Sequence, residues 1–179
     1  MNEKKIIILN RDTFATLVPS GAHIMLHQDT EVTITQELGS SFTVNVYGNL
    51  ARIEAKDADA LGKTVPNPLE DLPEDATIED KVWTLLHTVY DPEIPVNIVD
   101  LGLVYECQIT QKDDKTYNVH IHMTLTAPGC GMGPVIAQDA KDKVLQIPEV
   151  SEADVEIVFD PPWDQSMMSD VAKLELGLL

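Results

Sequence analysis

The chain predicts an α+β protein: a small, mainly antiparallel sheet with helices packed on it over residues 77–179, preceded by a small β-rich module over residues 1–65. Three observations carry this. Apolar residues recur at helical spacing and then at alternate positions through the second half, in the order helix, strand, strand, helix, strand, helix. The first 65 residues show only short alternating runs broken by glycine turns. Between them, residues 66–76 are rich in proline and acid, the composition of a linker.

In the first module, Ile6 to Leu9 is a short apolar run, Val32 and Ile34 alternate with threonines, and Phe42, Val44 and Val46 alternate ahead of Gly48-Asn49. Leu50 to Ala55 reads as a further strand. Short strands of this kind suggest a small barrel or sandwich. His23 and His27 stand four apart, but in strand or loop they need not share a face, so metal binding there is not the favoured reading.

After the linker, Thr77 and Asp80 have the spacing of a capping box, with Asp in the place of the usual Glu. Ile78, Val82, Leu85, Leu86 and Val89 continue at helical spacing, and the helix should stop at Asp91-Pro92, because the residue before proline avoids the helical region. The stretch Asp91 to Gly102 is too proline-rich for regular structure and too apolar to float free, so it must pack. A strand from Leu103 to Thr110 follows, with Cys107 on the same face as Tyr105 and Ile109, where a buried structural thiol is expected. The chain turns over Gln111 to Lys115 and returns as a strand from Thr116 to Thr126. Val119, Ile121, Met123 and Leu125 take one face of it, and His120, His122, Thr124 and Thr126 the other. Beyond a second helix, Ala153 to Phe159 forms a third strand. Asp160-Pro161-Pro162-Trp163-Asp164 then reads as a stiff, partly apolar lid, and Ser166 to Leu174 as a short final helix.

Chemistry concentrates in Thr124 to Pro134, which contains Cys130. The return strand runs into glycines, and Pro134 opens the second helix, since proline is tolerated in a first turn. Cys130 thus falls between a strand end and a helix start, where unpaired backbone N–H groups favour a thiolate. Packing alone would not call for glycine and proline on both sides of it, so a reactive or metal-ligating cysteine is the reading preferred here.

Composition narrows the choices. The net charge is −18, and it is uneven: residues 1–65 hold 6 basic and 8 acidic side chains, residues 66–179 hold 6 and 22. Such a field repels phosphate backbones and anionic lipid, which argues against nucleic acid or membrane as a partner. No apolar run approaches the ~18 residues of a membrane span, nor does the early one suffice for a signal peptide. Two cysteines of different setting do not make a disulfide framework. A cytoplasmic protein is expected.

Three separated motifs, Asp91-Pro92-Glu93-Ile94-Pro95 with Asn97 to Tyr105, Met123 to Cys130, and Asp160-Pro161-Pro162-Trp163, closely resemble the iron-sulfur cluster assembly family that includes SufT and PaaD. The resemblance covers roughly residues 75–177. Cys130-Gly131-Met132-Gly133, where PaaD-like relatives have Cys-Pro, is similar to the SufT branch. The resemblance implies an accessory, non-enzymatic role in maturing iron-sulfur proteins, with iron-sulfur assembly proteins and apo clients as partners. It places the reactive cysteine on Cys130 and the acidic motif on Asp91 and Glu93. Asp100, Thr124, Thr126, Pro128, Gly129 and Gly131 complete the expected supporting set.

Ligand counting limits what that site can do. Clusters are normally held by four protein ligands, mostly thiolates, so one cysteine per chain cannot enclose one. No stably bound cofactor is expected, only a transient cluster or iron on Cys130, with a homodimer or a partner protein completing the ligands. The competing class is a cysteine-dependent enzyme, a thiol peroxidase, persulfide carrier or hydrolase, for which His120 or His122 would serve as base. Alternating polar residues on a strand are more simply its solvated face.

Overall fold

The computed structural model describes residues 5–39, 41–91, 94–129 and 131–179, and divides the chain into two compact units, Met1–Pro66 and Asn67–Leu179.

The first unit is a six-stranded sheet: β1 (Lys5–Ile8), β2 (Thr13–Leu17), β3 (His23–Leu26), β4 (Glu31–Leu38), β5 (Ser41–Val46) and β6 (Asn49–Ile53). The strands lie in the order β1-β4-β5-β6-β2-β3, and every pairing is antiparallel. Alternation puts Val32, Ile34, Phe42, Val44 and Val46 into one core with Leu9, Ala51, Ile53 and Leu61. A 3-10 helix over Ala55–Leu61 is tied down by Arg11, whose guanidinium bonds Asp57 at 3.1 Å and Asp59 at 2.6 Å. His23 and His27 do not form a pair: His23 meets Thr16 Oγ1 at 3.5 Å, and His27 lies 3.7 Å from Asp12.

The second unit begins within the stretch read as linker. Pro68–Asp71 forms a 3-10 helix capped by the Asn67 side chain, and it lies against α1 (Ile78–Leu86). The Thr77 hydroxyl accepts from Asp80 N at 3.1 Å while the Asp80 carboxylate accepts from Thr77 N at 3.0 Å, so the capping box forms as read. Next come β7 (Val104–Gln111), β8 (Tyr117–Met123), α2 (Gly133–Val144), β9 (Val150–Ile157) and α3 (Asp170–Glu175).

The sheet of this unit has the order β7-β8-β9, and only β7 with β8 is antiparallel. β9 pairs parallel to β8, because the chain crosses back through α2, and a helical crossover returns the next strand in the same direction. Val119, Ile121 and Met123 of β8 face the helices and are fully buried with Val82, Leu85, Leu86, Ile136, Ala140 and Val144. A buried ion pair lies within α2, where Lys143 Nζ donates to Asp139 at 3.2 Å, and the same ammonium ties the helix to the turn after α1 by donating to Thr88 O at 2.9 Å. Cys107 corrects the expectation of a buried thiol. It is half-buried, since β7 is an edge strand, and desolvation followed by the nearby Glu79 charge pushes its pKa up to about 11.

No helix among the described residues is long and apolar enough to cross a membrane.

Candidate functional site

Two of the residues singled out by sequence, Cys130 and Glu93, lie outside the described residues. β8 is the central strand, and Thr124, just beyond its end, is buried and donates its N–H to Leu103 O at 2.8 Å. This bond fastens the start of the loop to the turn before β7. Thr126 is half-buried, and Ala127, Pro128, Gly129 and Gly131 are exposed. Gly129 has φ +80 with nothing within 4 Å of an added Cβ, so the loop reverses in open space and backbone conformation alone calls for glycine there.

At the other end, Met132 caps α2 and is itself fully buried, so it anchors the helix start in the core. Gly133 packs so closely on Leu125 that a Cβ would come within 2.6 Å of its Cδ1. The N-terminus of α2 has no side-chain cap and no acid in its first turn. Its first N–H groups therefore keep their positive end for whatever stands ahead of them, and position 130 is two residues before the cap.

The acids of the first motif have structural partners. Asp91 is 5% exposed; its carboxylate accepts from Ile94 N at 3.0 Å, and its own N–H donates to Val96 O at 3.2 Å. Asp100 accepts from Asn97 Nδ2 at 2.7 Å and from the Ser169 hydroxyl at 2.9 Å, and its carbonyl accepts from Ser169 N at 2.8 Å. Ser169 in turn caps α3.

The first and third motifs are thereby locked together. Trp163 Nε1 donates to Leu101 O at 2.7 Å, and Tyr105 Oη donates to Pro161 O at 2.8 Å. Gly102, at φ +77, leaves only 2.3 Å between a would-be Cβ and Met167 O. The Pro-Pro-Trp segment, expected as a lid, is strapped to the turn before β7. Sequence spacing could not show this, because the contacts span about sixty residues.

His120 and His122 stand on the sheet face opposite the helices, with Glu106 and Glu156 beside them. The two carboxylates were not singled out by sequence, since their place depends on strand register.

Fold and site together define a class: a small α+β domain that presents a glycine-rich loop between its central strand and an uncapped helix. Residues 79–157 match the family described as iron-sulfur cluster assembly protein. A Fe-S protein maturation auxiliary factor of Porphyromonas gingivalis is 42% identical over 101 residues, which is 56% of this chain and 92% of that protein. The auxiliary factor SufT of Staphylococcus aureus is 43% identical over 90 residues, 50% of this chain and 98% of its own length. Among solved structures, a DUF59 domain from Bacillus anthracis matches with a TM-score of 0.50 and 41% identity, covering 57% of this chain and 93% of that one. The chain belongs to the iron-sulfur cluster assembly protein family. The family match falls wholly within the second unit.

Proposed function

We propose that this protein is an auxiliary factor in the maturation of iron-sulfur proteins, acting through Cys130 on the loop between β8 and α2. The observation that carries the reading is family membership at about 40% identity over nearly the whole length of relatives named as such factors. Loop geometry supports it. A thiolate ahead of the uncapped α2 N-terminus is stabilised by the helix dipole, and exposed glycines on both sides leave room for another protein's iron or cluster.

In this reading Cys130 supplies one ligand to an iron or cluster in transit, and the donor or client protein supplies the rest. Asp91 and Asp100 hold the neighbouring turn in shape, and Thr124 fixes the loop's entry. The partners are iron-sulfur assembly proteins and apo clients, and the protein turns over no substrate of its own.

Complementation of a deletion strain tests this. The wild-type gene restores iron-sulfur enzymes, whose activities fall in the deletion while cluster-free enzymes are unaffected, and Cys130→Ser does not restore them. Restoration by Cys130→Ser, or turnover of peroxide or thioester by the purified protein, would overturn the reading.

A further inference from the structure

The face of the three-stranded sheet turned away from the helices carries a cluster that the proposed function does not use. Strand register builds it. Glu106 on β7 stands opposite His122 on β8, which stands opposite Glu156 on β9, so one lateral row crosses all three strands. His120, two residues before His122, shares the face. The Nε2 atoms of His120 and His122 are 2.9 Å apart. Glu156 Oε2 lies 3.3 Å from His122 Nε2 and 3.7 Å from His120 Nε2.

We propose that His120, His122 and Glu156 form a binding site for a divalent first-row transition-metal ion, zinc or ferrous iron in chemical type, with Glu106 positioning His122. The first argument is geometric. Atoms with these three separations lie on a circle of radius about 1.9 Å, just under the ~2.1 Å length of zinc bonds to imidazole nitrogen and carboxylate oxygen. A cation slightly above their plane therefore reaches all three at normal bond length with no side chain moving.

The second argument is orientation. Glu106 Oε2 lies 3.1 Å from His122 Nδ1 and can accept a hydrogen from it, which leaves Nε2, the ring atom turned toward His120 Nε2 and the Glu156 oxygen, to serve as the ligand. Glu106 is itself oriented, because its other oxygen accepts from Gln108 Nε2 at 2.7 Å. Carboxylate, imidazole and metal in line is the arrangement that fixes a ligating histidine's tautomer.

Two imidazoles and one carboxylate suit zinc, iron, cobalt or nickel, whereas calcium and magnesium take oxygen donors. The histidine side chains are 37% and 30% exposed, so water or a partner's ligand can fill the remaining positions. The site uses none of the residues of the Cys130 loop.

The test uses full-length Cys130→Ser protein, stripped with chelator and desalted, titrated with cobalt by visible absorption and with zinc by calorimetry. One ion per chain is expected. His120→Ala and His122→Ala should each weaken binding by about 100-fold or more, and Glu106→Gln by roughly 10–100-fold with the same stoichiometry. Glu156→Gln, exposed and isosteric, removes a ligand without disturbing the core and should also weaken binding at least about tenfold. Absence of saturable binding below about millimolar metal would overturn the proposal. So would affinity unchanged by the histidine substitutions, or a sulfur-to-cobalt charge-transfer band, which would put the ion on Cys107.

Discussion

The indole N–H of Trp163 donates to the carbonyl of Leu101 at 2.7 Å, across 62 residues of chain. This bond belongs to a bracket that includes Asp100 with Ser169 and Tyr105 with Pro161. Trp163→Phe keeps most of the apolar contact and leaves the Leu101 carbonyl without its donor, so it should cost about 1–3 kcal/mol in urea unfolding. An unchanged unfolding midpoint would show that the strap carries no stability.

Gly102 meets the same bracket at Met167. An alanine there must adopt φ +77 and also push its methyl into the Met167 carbonyl. The backbone strain alone is about 1–3 kcal/mol, and the clash adds to it by displacing the segment before α3. Gly102→Ala should therefore destabilise more than Gly129→Ala, whose Cβ meets nothing within 4 Å. Thermal unfolding of the two variants side by side checks the order.

Lys143 and Asp139 are 4% and 8% exposed and pair with each other inside the helix layer. Lys143→Ala removes the cation that both the Asp139 carboxylate and the Thr88 carbonyl bond and should cost about 3–5 kcal/mol. Replacing both, as Asp139→Leu with Lys143→Met, should cost less than the single change, because neither member of the pair is then left buried with the other removed. A double variant no better than Lys143→Ala would show that the loss lies in packing.

Cys107 provides a pH test. Burial raises its pKa to about 11, so the thiol form persists well above the range where an ordinary cysteine ionises. In Cys130→Ser protein, iodoacetamide labelling of Cys107 should rise about tenfold per pH unit from pH 8 to 10, since the reactive thiolate grows in that proportion below the pKa. An ordinary thiol levels off near pH 9, and such a plateau in the folded protein would contradict the shift.

Local signals carried much of this fold into the sequence. The Thr77–Asp80 box, the alternation of Val119, Ile121 and Met123, and Pro134 near the start of α2 all work within a few residues, and each appears where its spacing put it. Strands β2 and β3 were not foreseen. Thr13–Leu17 buries Thr13, Ala15 and Thr16 without clean alternation, and His23–Leu26 is a short edge strand with one buried residue. The parallel pairing of β9 was likewise unread, although the helix between it and β8 was the available clue. In the candidate site, the loop's place between β8 and α2 was legible, but the bracket and the Glu106–His122–Glu156 row were not, because they depend on register and on contacts distant in sequence.

The central position of β8 has one more consequence. Its backbone is bonded on both sides, to β7 and to β9, while among the described residues each of those strands pairs on one side within this sheet. Amides of β8 should therefore exchange with deuterium only when the whole unit opens, and those of β7 and β9 sooner. The loop that follows β8 is thus rooted in the segment that comes apart last, so its entry point keeps its shape through the smaller openings by which edges and termini breathe.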